Sequence, residues 1–201
     1  MSYVLFGDDV VFYQRLLKIQ GLYRGRLDGI WGKKTEKASS LFERETDRIM
    51  DLYGYFDSRT ESHIYGLTLR AQVLAREFMT RLIDAGFNAK IISGTRTYEE
   101  QNRLFRQGRY GNPGDIVTKA RGGKSNHNFG IGWDIGLFTA AGGYSKNNAD
   151  YVAAAEAAMV DELEWGGDWV GFYDPPHYQV STGYELEVVR AKFEAGETLF
   201  A

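Results

Sequence analysis

Ser125-Asn-His-Asn-Phe-Gly-Ile-Gly-Trp-Asp134 and the later Asp174-Pro-Pro-His177 decide how this chain is read. The chain holds three histidines, and two of them, His127 and His177, stand in these segments with carboxylates close by. His127, Asp134 and His177 together offer two imidazoles and a carboxylate to a metal, which leaves Asp174 as a base. A catalytic zinc centre uses three protein ligands, an open position for water and a group that manages protons. The pattern therefore predicts a zinc hydrolase. Residues 131–136 alternate with the period of a strand, so Ile131, Trp133 and Ile135 face one way and Gly132, Asp134 and Gly136 the other. Asp134 projects from a face cleared of neighbouring side chains, as a metal ligand requires. His127 precedes this strand across Gly130 and can fold back beside Asp134. His177 opens another strand, and a single pairing would bring all three residues together.

Asp174 is separated from His177 by two prolines, which fix φ and stiffen the turn. The carboxylate can then stand beside the metal without ligating it, take a proton from the attacking water and pass it to the leaving amine. The remaining histidine, His63, reads as an ordinary structural residue. The chain contains no cysteine, so disulfides and thiolate metal sites are excluded. Imidazole with carboxylate suits zinc, iron or nickel. Non-haem iron oxygenases place the first histidine and the carboxylate close together on a jelly-roll strand. Here they stand seven positions apart and a jelly roll's many short strands are missing, which favours Zn2+.

Working outward, the 201 residues suit one domain, or a medium domain with a small one, and a hydrophobic content of 43% predicts a packed core. A net charge of −3 argues against broad binding to nucleic acid. The N-terminus has neither a basic stretch nor a long apolar run, so no ordinary signal peptide is expected. No apolar stretch approaches the ~20 residues of a membrane span, so no membrane insertion is expected. Asp8 and Asp9 can cap a helix over about 9–20 with Val10, Tyr13, Leu16, Leu17 and Gln20 on one face, stopped by Gly21. A glycine-rich turn region follows, and a second helix starts near Lys34 or Thr35 with Ala38, Leu41 and Phe42 on one face. Residues 1–45 form a small helical module, and 46–201 a second domain whose first part, 46–66, joins the two.

Leu67, Ala71, Leu74, Phe78, Leu82 and Ala85 recur at helical spacing, with Gly86 at the stop. A strand is expected over 87–93, a capping box at Thr97–Glu100 opens a helix to about Gln107, and 108–124 reads as an ordered glycine-rich loop. A helix over 149–163, short strands at 165–169 and 177–180, and a closing helix over 185–195 complete the chain. Helices and short antiparallel strands without a βαβ rhythm predict the α+β class.

Two resemblances sharpen this reading. Gln14-Arg-Leu-Leu17 followed by Asp28-Gly-Ile-Trp-Gly-Lys-Lys-Thr35 resembles the common peptidoglycan-binding module; that family ends its second helix in Phe-Gln, where this chain has Phe42-Glu43. Ser93-Gly-Thr-Arg-Thr-Tyr-Glu-Glu-Gln101, the His127–Asp134 segment, Trp165-Gly-Gly-Asp-Trp169 and Asp174-Pro-Pro-His177 follow in the order of the zinc peptidases of peptidoglycan stem peptides. These are the D-alanyl-D-alanine carboxypeptidases and dipeptidases and the L-alanyl-D-glutamate endopeptidases of phage lysins and bacilli. The resemblance spans residues 56–182. Gly132 stands where the family has alanine.

The resemblance implies a small antiparallel sheet with flanking helices, of the type shared with hedgehog domains. It implies zinc on His127, Asp134 and His177, and Asp174 as general base. It also implies that Arg96 polarises the scissile carbonyl, where a guanidinium stabilises developing negative charge. Ser125, Tyr98 and Gln101 would shape the substrate cleft, while Trp165 and Trp169 read as core or cleft wall. The loop Gln107-Gly-Arg-Tyr-Gly-Asn-Pro-Gly-Asp-Ile-Val-Thr118 brings the chain closest to the endopeptidase branch, which implies cleavage between L-alanine and D-glutamate. The expected partner is bacterial peptidoglycan, met by a monomer in the cell wall or periplasm after release through a holin or a secretion machine, as for a phage endolysin or an antibacterial effector. Two alternatives remain at this stage. One is a carboxypeptidase or dipeptidase acting on D-alanyl-D-alanine ends. The other is a non-catalytic zinc-containing binding domain, against which the joint presence of Asp174 and Arg96 argues.

Overall fold

The computed structural model describes residues 5–7 and 9–200. Asp9 caps α1 (Val10–Ile19) by accepting from the Phe12 amide at 3.0 Å; Asp8, the other expected cap, lies outside the described residues. The buried face of α1 includes Phe12, Gln14 and Ile19 beside the expected Tyr13, Leu16 and Leu17. α2 (Lys33–Tyr53) is longer than its apolar pattern indicated and runs into the polar stretch assigned to a connection. α3 (Ser58–Tyr65) follows, capped by Asp57, and α4 (Leu69–Asp84) is capped by Thr68. Then come β1 (Ala89–Ser93) and α5 (Tyr98–Arg106), the latter opened by the expected capping box of Thr97 and Glu100. β2 (Gly132–Leu137), α6 (Asn148–Ala158), β3 (Leu163–Trp165), β4 (His177–Val180) and α7 (Leu186–Ala195) complete the order.

Two compact units emerge. The first gathers residues 1–44, 95–130 and 182–201; the second gathers 45–94 and 131–181. In the first, α1 packs on α7, and Phe193 sits 5.4 Å from Phe12 and 5.3 Å from Phe129, ring centre to ring centre. Gln14 is fully buried and organises the loop after α1. Its amide nitrogen donates to the Asp28 carboxylate (2.9 Å) and to the Ile30 carbonyl (3.1 Å). Its carbonyl oxygen accepts from the Asp28 and Gly29 amides, each at 3.0 Å. The Gln14 and Asp28-Gly29 motifs are thus two halves of one hydrogen-bonded cluster. The bond from Gln14 leads the interactions that hold the Asp28 carboxyl below its ordinary pKa.

The second unit carries the whole sheet, ordered β1-β2-β4-β3 with every pair antiparallel. This is the α+β architecture that the alternation of elements predicted. α3 and α4 pack on β1, and α4 also meets β4 and α6. Phe78 of α4 lies 4.3 Å from the Tyr178 ring and 6.4 Å from Trp133, so the apolar stripe of α4 closes over the face of β2 that carries Ile131, Trp133 and Ile135. Two expected elements differ. α6 ends at Ala158, and β3 precedes the glycine pair, with Gly166–Asp168 forming a 3-10 turn. The two adjacent glycines give that segment no side chains with which to sustain a strand.

Arg76 is 1% exposed and pairs with Glu61 in a two-pronged contact, Nη1 to Oε1 at 2.9 Å and Nη2 to Oε2 at 2.6 Å. Glu61 also accepts from the Phe56 amide, and Arg76 also donates to the Gly54 carbonyl. Breaking a buried pair by removing one partner strands the other charge and costs about 3–5 kcal/mol. Glu61→Ala is therefore expected to lower unfolding free energy by about that amount. Urea titration measures it, and a loss under about 1 kcal/mol would place this pair with exposed ones.

Candidate metal centre

The β2–β4 register sets Asp134 directly opposite His177. Asp134 Oδ1 lies 3.0 Å from His177 Nδ1. His127 stands on a 3-10 turn, Asn126–Phe129, that ends at Gly130. Gly130 has φ of 71°, a left-handed conformation that glycine adopts without strain, and it delivers the chain directly into β2. One ligand atom from each of His127, Asp134 and His177 lies within 4.8 Å of the others. Both imidazoles are buried, at 2% and 4% exposure, while Asp134 is partly open. Two nitrogens and one carboxylate oxygen converge with no thiolate in the chain, and this donor set fits zinc with a position left for water.

His177 is perturbed. Burial opposes its positive form, but the hydrogen bond and charge of Asp134 outweigh this, helped by Gln179 and by the charge of Asp174, and its pKa rises above the ordinary imidazole value. Trp169 packs on the imidazole with ring centres 5.0 Å apart.

The Asp174-Pro-Pro-His177 turn has its backbone groups paired. The Asp174 amide donates to Gly166 O (3.0 Å), the Trp165 indole to Pro175 O (2.8 Å), the Ile135 amide to Pro176 O (2.9 Å) and the His177 amide to Asp174 O (3.1 Å). Gly166 makes this possible. A Cβ there would stand 2.4 Å from the Asp174 carbonyl oxygen and 3.1 Å from the His177 Cβ. The Trp165-Gly-Gly segment thus holds the backbone of the Asp174–His177 turn in place, a role that sequence reading did not give Trp165. The indole nitrogen and the adjacent glycines were its only signal.

Arg96 follows β1. Its backbone amide donates to the His127 carbonyl (3.0 Å), and its Nη1 donates to Gln101 Oε1 (2.9 Å). Gln101 is fully buried, and its amide nitrogen donates to Thr118 Oγ1 (3.3 Å) and Ala120 O (3.0 Å), so it holds Arg96 against the following loop. Ser125 precedes the His127 turn and accepts from the Asn128 amide through its carbonyl. Tyr98 packs on Phe12 and Phe193 and donates its hydroxyl to Glu194 (3.2 Å); burial, then the Glu194 charge, push its pKa up. Asn128 escaped the sequence reading. Buried, it accepts from the Gly123 amide (2.9 Å) and donates to the Arg96 carbonyl (2.9 Å), fixing the turn that carries His127.

A three-residue metal site at paired strand ends, with a carboxylate held in the adjoining turn, has the form of a metal-dependent hydrolase centre. Residues 118–180, the segment carrying His127, Asp134, Asp174 and His177, match the family model described as D-alanyl-D-alanine carboxypeptidase. Over 104 residues the chain is 38% identical to the peptidoglycan L-alanyl-D-glutamate endopeptidase CwlK of Bacillus subtilis (strain 168), covering 47% of this chain and 62% of that protein. The chain thus spans about three-fifths of the length of this curated relative, 62%. The fold is similar to that of the Serratia marcescens L-Ala D-Glu endopeptidase ChiX, with a TM-score of 0.50 and 22% identity over 64% of this chain and 90% of that one.

Two outcomes are expected. The raised pKa of His177 means that, without metal, its contribution to stability is full below the unfolded value near 6.5 and is lost as pH rises through the folded value. Urea midpoints of the metal-free protein should therefore carry a component that declines from about pH 6.5 upward. The same group in an Asp134→Asn background should lose most of that component. Separately, Gly166→Ala should displace the Asp174–His177 turn and weaken zinc binding about 10-fold or more, read by chelator competition.

Proposed function

We propose that the protein is a zinc-dependent endopeptidase of the peptidoglycan stem peptide, cutting the L-alanyl-D-glutamate bond. The observation that carries this reading is the convergence of His127, Asp134 and His177 within 4.8 Å, with Asp174 fixed in the turn that ends at His177. The choice of bond is supported by the 38% identity to the B. subtilis endopeptidase. His127, Asp134 and His177 would hold the zinc, which supplies a Lewis acid and lowers the pKa of water.

The chain's own groups do the rest. Asp174 accepts the proton of the attacking water as the water adds to the scissile carbonyl, and returns it to the amine as the C–N bond breaks. Arg96 supplies positive charge for the carbonyl oxygen as it becomes negative. Gln101 holds that guanidinium through its Nη1. Ser125 and Tyr98 line the approach in this reading. The helical module of residues 1–45 attaches the enzyme to the wall, and the monomeric protein reaches its substrate through a holin or a secretion machine. Its outcome is wall lysis, as by a phage endolysin or an antibacterial effector.

Among the described residues no helix is long and apolar enough to cross a membrane. The family description matched by residues 118–180 favours a second reading, removal of terminal D-alanine.

Digestion of purified peptidoglycan, analysed by mass spectrometry with a chelator-treated control, separates these. Peptides newly beginning with D-glutamate, absent after chelation, are the expected products. Loss of terminal D-alanine alone would shift the assignment to a carboxypeptidase, and no products from several wall types would remove the enzymatic reading. Asp174→Ala should keep zinc while turnover drops about 10²–10⁴-fold, the range for a general acid–base group. Unchanged turnover would take the proton-transfer role away from Asp174.

A further inference from the structure

Beyond the three candidate ligands, β4 carries a buried amide with a defined orientation. Gln179 lies two residues after His177, on the same face of the strand, and both side chains are buried. Gln179 Oε1 is 3.1 Å from His177 Nε2. The orientation of the amide follows from its other end: Gln179 Nε2 is 2.7 Å from Glu164 Oε2, and a carboxylate accepts. The atom turned toward His177 is therefore the carbonyl oxygen. Ser181 Oγ donates to the second Glu164 oxygen at 2.6 Å, which fixes the carboxylate in turn. The β3–β4 register sets Glu164 opposite Gln179, so strand pairing itself builds this relay.

An acceptor facing Nε2 is satisfied only when Nε2 carries hydrogen. In a neutral imidazole the lone pair then resides on Nδ1. Nδ1 is the nitrogen that faces Asp134 Oδ1 at 3.0 Å. Without metal a proton on Nδ1 joins the two; a cation that displaces that proton would meet both as ligands while Nε2 keeps its own hydrogen.

We propose that Gln179, oriented by Glu164 and Ser181, is a positioning residue that fixes His177 as its Nε2–H tautomer and thereby presents Nδ1 to the metal. This rests on the zinc-peptidase reading above. Outer partners of this kind orient a ligand and raise its basicity, and their loss costs about 10–100-fold in metal affinity. Gln179→Leu fills a similar volume without an acceptor, leaving the buried Nε2–H without its partner. Glu164→Ala acts one step further out: it releases the amide, which can then turn its NH2 toward His177 and favour hydrogen on Nδ1, the ligand atom.

The test combines two measurements on the full chain. Long-range ¹H–¹⁵N spectra of the zinc-loaded wild-type protein read the tautomer and the coordinating nitrogen of His177. Competition with a chromophoric chelator reads zinc affinity for wild type, Gln179→Leu and Glu164→Ala. Expected are a protonated Nε2 with a metal-bound Nδ1, and zinc affinity about 10–100-fold weaker in Gln179→Leu, with a loss in the same direction in Glu164→Ala. Coordination of His177 through Nε2 would overturn the proposal, whether or not the variants fold. So would a folded Gln179→Leu protein of wild-type affinity. A wild-type chain that takes up no zinc would instead sink the zinc-peptidase reading itself.

Discussion

The antiparallel pairing of β2 with β4 is the constraint on which the site depends. It aligns Gly132 with Gln179, Trp133 with Tyr178 and Asp134 with His177. Because strand side chains alternate, one register sets both faces at once. Trp133 and Tyr178 meet Phe78 in the core, and Asp134 and His177 emerge together on the opposite face. A slip of one residue would drive the carboxylate and imidazole into the aromatic core and expose the rings. The hydrophobic demand of Trp133 and Tyr178 thus enforces the juxtaposition of Asp134 and His177.

His127 and Asp174, the third candidate ligand and the proposed base, arrive by different means. His127 comes from a 3-10 turn braced by Asn128 and closed by Gly130, and Asp174 from a proline-stiffened turn whose carbonyls are held by Trp165, Ile135 and His177. The first turn also buries its own Phe129 against Phe193, and the second buries Pro175. Both depend on backbone hydrogen bonds and on glycines that leave room. Gly166 shows this most directly, since a methyl group there would overlap the Asp174 carbonyl.

Much of this could be read from the residues because the signals were strong and local. The alternation of Ile131, Trp133 and Ile135 against Gly132, Asp134 and Gly136 located β2, and Thr97 with Glu100 located the start of α5. What escaped was tertiary. α2 continues through polar residues beyond its apolar stripe, and propensity alone does not say where such a helix stops. Gly166–Asp168 looked like strand because tryptophans flank it, while the glycine pair makes a turn. Asn128, Gln101 and Gln179 were illegible as positioning residues. An amide's value lies in which partners surround it, and those partners come from other loops and strands.

The buried amides also explain how so polar a region remains folded. A buried polar group without a partner costs about 1–3 kcal/mol, so each must be matched where the chain leaves water. Gln101 meets Arg96, Thr118 and Ala120; Asn128 meets Gly123 and the Arg96 carbonyl; Gln179 meets His177 and Glu164. In each case the amide offers a donor at one end and an acceptor at the other, and so bridges two groups of opposite need. An apolar residue of the same size would fill the space and leave both neighbours unmatched. A charged residue would satisfy one neighbour and repel the other. Placing neutral amides next to the histidine and arginine of the site orients those groups without adding a charge to compete with Asp134 or Asp174. The electrostatic field at the candidate metal centre is thereby left to the residues proposed to bind the metal and to move the proton.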